Sequence, residues 1–130
     1  YTTLLSTEQI EDPLGEEIKA ILDGHLYLNT RLAQMGHYPA IDLLKSNSRV
    51  MDNLISSEHA LVAQKLRSLW SIYEDSRDLI SIGAYKSGSD AGIDEAIRKR
   101  KALERFLIQG KDTKVTLEES LDLARTVVES

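Results

Sequence analysis

Residues Ser57–Gly83 read SEHALVAQKLRSLWSIYEDSRDLISIG, and this segment carries the clearest structural signal in the chain. Its apolar side chains recur at intervals of three, four and seven residues, which places them on one face of a helix. They are Val62, Leu66, Leu69, Tyr73 and Ile80, with Leu61 and Trp70 beside them. The pattern predicts one long amphipathic helix that ends at Gly83 and must bury its apolar face against other elements.

Two further helices provide partners for that face. The first covers Ile93–Gln109 and carries its own apolar stripe: Ile93, Ala96, Ile97, Leu103, Phe106 and Leu107. The second begins at Thr116, which forms a Thr-x-x-Glu capping box with Glu119, and its stripe is Leu117, Leu121, Ala124 and Val128. Between the long helix and the first of these, Gly83–Gly92 has the composition of a loop. We therefore predict a small antiparallel helical bundle over residues 57–130.

The segment before Ser57 mixes short helical and extended signals. These are a β-rich Tyr1–Leu5, a helix that starts at Asp12-Pro13 and runs to about Leu22, an extended His25–Leu28, a helix over Thr30–Met35 stopped by Gly36, and an irregular Tyr38–Arg49. Such short pieces do not form an independent fold. We expect them to need sheet partners outside this chain.

Composition places the chain among soluble globular proteins, with 42% hydrophobic and 28% charged residues over 130 positions. The chain has no cysteine, which rules out disulfides and thiolate chemistry. No run reaches the roughly 18 apolar residues of a spanning helix, and no signal segment opens the chain, so secretion and membrane insertion are not expected. The apolar start at Tyr1 suggests an excised segment.

The net charge is −5, and the acid excess lies almost wholly in residues 1–56. A nucleic-acid partner is therefore not expected. A local exception is the basic run Arg98, Lys99, Arg100 and Lys101, on the second predicted helix. The run is either an ordinary solvated helix face or a docking surface for an acidic partner.

Common catalytic and metal-binding patterns do not occur in the sequence. The only Gly-Lys pair, Gly110-Lys111, lacks the upstream glycine and the following hydroxyl of a phosphate-binding loop. The histidines His25, His37 and His59 have no metal-ligand spacing, so we predict no metal site. Taken alone, the chain has no evident place for a triphosphate.

Two side chains before Ser57 leave a functional and a structural interpretation open. Arg49 follows a hydroxyl-rich, irregular stretch, where an arginine either reaches across an interface to a phosphate or carboxylate or forms a surface ion pair. Tyr38 precedes Pro39, which stiffens the chain. Its ring is either one wall of a pocket or a buried aromatic at a domain edge.

Several segments together resemble a known family. They are Ile21–Leu28, Leu32-Ala33, Gly36–Asp42 and Ser46–Met51, with looser similarity through Ile82–Tyr85 and Phe106–Gln109. This pattern resembles the ATPase of bacterial type III secretion systems and its flagellar export counterpart, relatives of the catalytic β subunit of rotary ATP synthases. The resemblance implies a mainly α chain: residues 1–56 would close a RecA-like α/β nucleotide-binding domain, and residues 57–130 would form the C-terminal helical domain.

The resemblance also implies roles for two side chains. Arg49 matches the arginine finger that acts in trans on a neighbouring subunit, and Tyr38 matches an aromatic in the adenine pocket of its own subunit. The resemblance implies that the full-length protein uses ATP and Mg²⁺. The family's phosphate loop, metal-holding strand and catalytic glutamate all precede the region that this chain resembles. We expect the 130-residue chain to bind neither ATP nor Mg²⁺ and to be inactive alone.

The implied assembly is a homohexameric ring in the bacterial cytoplasm, peripheral to the inner membrane at the export apparatus. Its implied partners are a central stalk protein, chaperone–effector complexes and a stator-like regulator. We predict docking of chaperone–effector complexes on Lys86 of the Gly83–Gly92 loop and on the basic run: Arg98, Lys99, Arg100 and Lys101. Two alternatives remain at this point, a flagellar protein export ATPase and a non-catalytic helical protein-binding module.

Overall fold

A computed structural model describes residues 13–130, and most of them are helical. In chain order the elements are α1 (Pro13–Ile21), β1 (Gly24–His25), α2 (Thr30–Gln34), β2 (Asn47–Ser48), α3 (Met51–Leu54), α4 (Ser57–Ser81), α5 (Ala91–Leu107) and α6 (Leu117–Glu129). The mainly helical fold class is confirmed. The predicted strand at Tyr1–Leu5 and the predicted cap at Asp12 lie outside the described residues.

Helices α4, α5 and α6 all pack against one another and bury one apolar core. Its buried members are Leu66, Leu69 and Tyr73 from α4, Ala96 and Leu103 from α5, and Ala124 and Val127 from α6. Leu69 and Leu103 are each only 1% exposed, so they mark the centre of the core. Removal of these apolar surfaces from water is the main force that holds the three helices together.

Three positions differ from the predicted apolar faces. Leu61 is 66% exposed, because it precedes the buried stripe by one residue, which turns its side chain about 100° away from the core. Leu117 is 72% exposed at the first turn of α6, whereas the core contact is made further along, through Ala124 and Val127. Ser76 is buried on the α4 stripe, although its polarity gave no signal for burial.

The second helix of the bundle begins earlier than the sequence predicted. The Asp90 side chain accepts hydrogen bonds from the backbone N–H groups of Gly92 (2.8 Å) and Ile93 (3.0 Å) and so caps the first turn. As a result α5 begins at Ala91 rather than at Ile93, and it ends at Leu107 rather than at Gln109.

The ends of α4 and α6 follow their sequence signals. Gly83 has φ +71°, a conformation that favours glycine, just beyond the end of α4. At the start of α6, Thr116 Oγ1 accepts from the Glu119 N–H (3.2 Å), and the Glu119 carboxylate accepts from the Thr116 N–H (2.8 Å). The predicted capping box is therefore confirmed, and the bonds from Thr116 hold the pKa of Glu119 below its ordinary value.

The segment before α4 is joined by a short antiparallel strand pair. Strand β1 pairs with β2 in the register Gly24 to Ser48 and His25 to Asn47. The predicted extended segment His25–Leu28 is therefore only partly formed, because the partner strand has just two residues; Leu28 makes one isolated bridge, to Ile41.

Candidate functional site

The backbone that carries Arg49 is fixed by the strand pair. A Cβ atom on Gly24 would lie 2.9 Å from the carbonyl oxygen of Asn47 and 3.3 Å from the Cα of Ser48, so the two strands approach as closely as they do because residue 24 is glycine. Directly after β2, the Arg49 N–H donates to the carbonyl oxygen of Asp23 at 2.7 Å. These contacts hold the arginine at a defined place on the surface.

The Arg49 side chain is exposed and lies on the C-terminal end of α1. Its Nη1 donates to the carbonyl oxygen of Ala20 at 2.9 Å, and its Nη2 donates to that of Lys19 at 3.4 Å. Such terminal carbonyls carry a partial negative charge that attracts a cation. Both acceptors are neutral, however, and an anionic phosphate or carboxylate binds a guanidinium more strongly. The side chain can therefore exchange its present acceptors for an anion.

The hydroxyl-rich stretch before Arg49 forms an ordered turn around Ser46, which is only 6% exposed. Ser46 Oγ donates to the carbonyl oxygen of Asp42 at 2.6 Å and accepts from the Tyr27 N–H at 3.0 Å. The Asp42 carboxylate accepts from the N–H groups of Leu44 and Lys45 at 3.2 and 3.1 Å. The serine and aspartate thus satisfy local backbone groups, as is typical of turns.

Tyr38 lies in the connection after α2, with 51% of its surface exposed. Gly36, at φ +75°, turns the chain out of α2, and the Tyr38–Pro39 peptide bond is cis. The Tyr38 carbonyl oxygen accepts a hydrogen bond from the Gln109 N–H at 2.8 Å, which ties this connection to the end of α5. The ring is therefore accessible to a flat partner rather than enclosed as a core aromatic.

Arg49 and Tyr38 belong to different local environments. Arg49 is bonded to the end of α1, whereas Tyr38 is bonded to Gln109 beyond α5. Within residues 13–130, no hydrogen bond joins the two. The prediction assigns them to two different nucleotide sites, one in the neighbouring subunit and one in their own, and it stays a prediction.

A cleft of about 250 Å³ separates α2 and the connection after it from the bundle. One wall is formed by residues 29–45 and includes Met35 and His37, while the other is formed by α4 and α5 and includes Trp70. The charged side chains on the bundle wall are paired with one another: Arg77 with Glu74 at 2.8 Å and Arg100 with Glu104 at 2.9 Å.

The four residues of the basic run lie in different environments, because they point in different directions from α5. Lys99 is 5% exposed, and its Nζ contacts the carbonyl oxygen of Val128 on α6 and the carboxylate of Glu95 at 3.4 Å. This corrects the prediction of Lys99 as a docking residue, because successive helix positions turn by about 100° and this one faces the interior. Arg100 lines the cleft, and Arg98 and Lys101 are exposed on the outer surface.

Glu95 links the two longest helices. Its carboxylate accepts from Lys65 Nζ on α4 at 3.2 Å as well as from Lys99 on its own helix. The hydrogen bond from Lys65, with a smaller contribution from Lys99, holds the pKa of Glu95 below its ordinary value, although burial acts in the opposite direction. Glu95 is therefore a charged connector between α4 and α5.

The loop that carries Lys86 is organised by the Asp94 carboxylate. This group accepts from the Gly88 N–H at 2.8 Å, the Tyr85 hydroxyl at 3.0 Å and the Ser87 hydroxyl at 3.3 Å. Burial, aided by the bond to Asp94, raises the pKa of the Tyr85 hydroxyl. The Lys86 side chain itself is exposed.

One exposed arginine was missed by the sequence reasoning. Arg105 lies four residues after Lys101 and seven after Arg98, so the three share one exposed face of α5, here called the basic stripe. None of the three forms an ion pair with another residue in the described part of the chain. The i, i+3, i+7 spacing of these three residues could have indicated the basic stripe. The prediction considered only the four consecutive basic residues.

Residues 13–130 contain neither a membrane-spanning helix nor a cluster of potential metal ligands. No helix among residues 13–130 is both long and apolar enough to cross a membrane. Within the same range, no group of three or more His, Cys, Asp or Glu side chains is placed to hold a metal ion.

Solved structures and a curated relative are similar to the chain over most of its length. The flagellum-specific ATP synthase of Bacillus subtilis is 46% identical over 93% of this chain and 28% of its own length. The assembled ATPase EscN of the enteropathogenic E. coli type III secretion system matches with a TM-score of 0.91 and 39% identity, over 98% of this chain and 31% of EscN. A structure of EscN in complex with its central stalk EscO matches with a TM-score of 0.85 and 39% identity, over 89% and 29%.

The chain thus spans less than a third of the length of these proteins. A model of the ATP synthase alpha/beta family nucleotide-binding domain matches residues 1–48. A model of the T3SS EscN ATPase C-terminal domain matches residues 55–123, more than half of the sequence. The chain therefore belongs to the family of the T3SS EscN ATPase C-terminal domain.

Proposed function

We propose that the chain works within an ATPase subunit that energises type III protein secretion in bacteria, and that Arg49 completes the active site of the neighbouring subunit in a homohexameric ring. The observation that carries this proposal is an exposed guanidinium on a backbone held by the β1–β2 pair. A side chain that acts across an interface needs a fixed backbone and an exposed end that can change partners. Arg49 has both, because its exposed guanidinium is bonded only to the neutral carbonyls of Ala20 and Lys19.

In this role Arg49 would donate hydrogen bonds to the oxygens of the transferred phosphoryl group. The negative charge on these oxygens must be stabilised while the bond to the leaving group breaks, and a positioned guanidinium supplies a fixed positive charge there. The arginine first leaves the neutral carbonyls of Ala20 and Lys19, which compete weakly with a phosphate. Loss of an arginine finger typically lowers the rate by about 10³ to 10⁵.

Tyr38 is proposed to lie against the adenine in the nucleotide pocket of its own subunit. Its half-exposed ring offers a flat apolar face, as base stacking requires. We expect Tyr38→Ala to raise the KM for ATP with little change in kcat, because stacking is equal in the ground and transition states. Tyr38→Phe keeps the ring and serves as the matched control, with a KM close to that of the parent.

The residues at hand fit part of a site for ATP and Mg²⁺. Arg49 suits a phosphate and Tyr38 suits a base, whereas residues 13–130 hold no group of three potential metal ligands. The metal, which would neutralise phosphate charge, is proposed to be held by the remaining part of the full-length subunit. The 130-residue chain alone should then show no ATP turnover above background, and measurable turnover would contradict this.

Mixed rings test the action of Arg49 on a neighbour. Subunits with Arg49→Ala are combined with subunits whose phosphate loop is inactivated, both in the full-length protein. In such a ring an intact phosphate loop meets an intact arginine at some interfaces, so ATPase activity should exceed that of either parent. If intact rings show no recovery at any mixing ratio, Arg49 does not act in trans.

We also propose that chaperone–effector complexes dock on Lys86 and on the exposed members of the basic run, Arg98, Arg100 and Lys101. Arg105 extends this surface. Reversal of charge in Arg98→Glu/Lys101→Glu should weaken chaperone binding roughly tenfold at low salt, with helicity unchanged. The matched control, Lys111→Glu/Lys114→Glu, changes the net charge equally but lies in the loop before α6. Equal affinity of both variants in a titration would remove the proposed docking surface.

The remaining features of the assembly are proposed from the family resemblance. We propose a boundary at residue 56, between a RecA-like part over 1–56 and a helical part over 57–130, and a central stalk as the partner of the ring. A stator-like regulator and a location at the cytoplasmic face of the inner membrane belong to the same proposal. Crosslinking in cells between this subunit and a stalk protein would test it.

A flagellar export ATPase is a second candidate, favoured by the 46% identity with the flagellum-specific ATP synthase of Bacillus subtilis. The neighbouring genes separate the two systems. A non-catalytic helical binding module is the remaining alternative, and it predicts that Arg49→Ala leaves the function of the full-length protein unchanged.

A further inference from the structure

We infer that Arg67, on α4, is a positioning residue for Arg49. The inference rests on the proposed function, because it concerns the placement of the arginine that acts on the neighbouring subunit. The observation behind it is a single contact: Arg67 Nη1 donates to the backbone carbonyl oxygen of Ser46 at 3.2 Å. This contact crosses from the helical bundle to the segment that leads into Arg49.

The acceptor of this bond lies in the most constrained part of that segment. Ser46 is 6% exposed, and its Oγ bonds both the Asp42 carbonyl oxygen and the Tyr27 N–H. Its own N–H donates to the Asp42 carbonyl oxygen at 3.0 Å. With every other polar group of Ser46 engaged in a local bond, the carbonyl accepts from the bundle, so Arg67 fixes this turn against α4.

From Ser46 to Arg49 the backbone is held continuously. Asn47 and Ser48 pair with β1, and the Arg49 N–H donates to the Asp23 carbonyl oxygen at 2.7 Å. The guanidinium at the end of this segment must reach a phosphate within hydrogen-bond tolerance, and misplacement by about 1 Å costs on the order of 10²-fold in rate. A change in the α4-to-turn distance therefore changes where Arg49 points.

Arg77 provides a comparison on the same helix. It pairs with Glu74 three residues earlier at 2.8 Å and is partly exposed. Its side chain forms no hydrogen bond to the segment 42–49 within the described residues. A substitution at Arg67 therefore removes a bond to the Arg49 segment, whereas a substitution at Arg77 removes a bond confined to α4.

The test uses the full-length ATPase with Arg67→Ala, Arg67→Gln and Arg67→Lys, and Arg77→Ala as the control. We expect Arg67→Ala and Arg67→Gln to lower kcat on the order of tenfold, with the KM for ATP within about twofold of the parent. Arg67→Lys keeps a charged donor and should recover most of the rate. If Arg67 had a purely structural role, its loss would lower the amount of folded ring. Arg67→Lys and Arg77→Ala would then be affected in the same way as Arg67→Ala.

Mixed rings separate this inference from the proposed function. Arg67→Ala subunits retain their own phosphate loop, so mixture with phosphate-loop-defective subunits should raise activity above both parents, as for Arg49→Ala. If the Arg49→Ala mixture recovers and the Arg67→Ala mixture does not, or if Arg67→Ala alone has full activity, the inference is overturned and the proposed function stands. If neither mixture recovers, the proposed function fails.

Discussion

Gly24 helps to determine where Arg49 lies on the surface. The absence of a side chain at Gly24 allows the Asn47 carbonyl oxygen to approach closely, where a Cβ atom would be only 2.9 Å away. That approach brings β2 next to β1, and Arg49 follows directly. The position of the proposed functional side chain therefore depends on a glycine, which has no side chain of its own.

Gly24→Ala should destabilise this strand pair and misplace Arg49. The added methyl group meets backbone atoms that cannot rotate away, so we expect a loss of about 1–3 kcal/mol in the free energy of unfolding. The ATPase rate of the full-length protein should fall as well. Gly110→Ala is the control, because its Cβ would meet a side-chain oxygen of Thr113 at 3.0 Å in an exposed loop. Equal effects of the two substitutions in urea unfolding would contradict this account.

Lys99 gives a second prediction at this scale. Its ammonium group satisfies the Val128 carbonyl and contacts Glu95 in the interior of the bundle, so Lys99→Met should destabilise the chain by about 1–3 kcal/mol. Arg98→Met removes the adjacent but exposed charge and should change stability by less than about 0.5 kcal/mol. Thermal unfolding followed by circular dichroism measures both. A smaller effect for Lys99→Met than for Arg98→Met would show that the buried contacts do not stabilise the bundle.

The proposed functional residues differ in how far the sequence could indicate them. The roles proposed for Arg49 and Tyr38 come only from family resemblance, since their local patterns left a structural interpretation open. The inclusion of Lys99 in the predicted docking surface was wrong, because burial depends on which neighbouring helix each position faces, and the basic run does not give that information. Arg67 gave no signal, because its acceptor is a backbone carbonyl 21 residues earlier in the chain.

At the scale of the helices, two carboxylates connect stability to pH. Glu95 joins α4 to α5, and Glu119 closes the cap of α6; both have a pKa below the ordinary value of 4.5. A group whose pKa is lower in the folded state stabilises the protein above its unfolded-state pKa, and that stabilisation is lost as the pH falls through the folded-state pKa.

The bundle should therefore unfold more easily as the pH falls below about 4.5, through the lowered pKa values of these two groups. Urea midpoints measured from pH 7 to pH 3 provide the test. In Glu95→Gln/Glu119→Gln the acid-induced fall should be smaller, because neither amide titrates while the glutamine at 119 still completes the capping box. A double variant with the same pH profile as the parent would exclude these groups as the cause.

The helices of the bundle were predictable because their signals are local. The cap at Thr116 acts within three residues, and apolar stripes repeat within one helix. Strands β1 and β2 have two residues each and depend on pairing between distant parts of the chain, so their sequences gave no clear pattern. Helix α3 has only four residues, which is too short for a recognisable apolar stripe.

For the molecule as a whole, the relation between the two parts could not be predicted from the sequence. It rests on contacts between distant residues: Arg67 with Ser46, and Gln109 with Tyr38. These bonds lead from the bundle to the two proposed nucleotide contacts. Resemblance predicted that both parts belong to one family of ATPases, but the hydrogen bonds that join them became visible only in three dimensions.

The most direct test of this account is a structure of the assembled full-length ring with a bound ATP analogue. The quantity to measure is the distance from the Arg49 guanidinium to the γ-phosphate held by the neighbouring subunit. We predict a nitrogen-to-oxygen distance of about 2.7–2.9 Å, with the bonds to the carbonyls of Ala20 and Lys19 released. A nucleotide-filled ring in which Arg49 still caps α1, and no oxygen of the neighbour's nucleotide lies within hydrogen-bond reach, would contradict it.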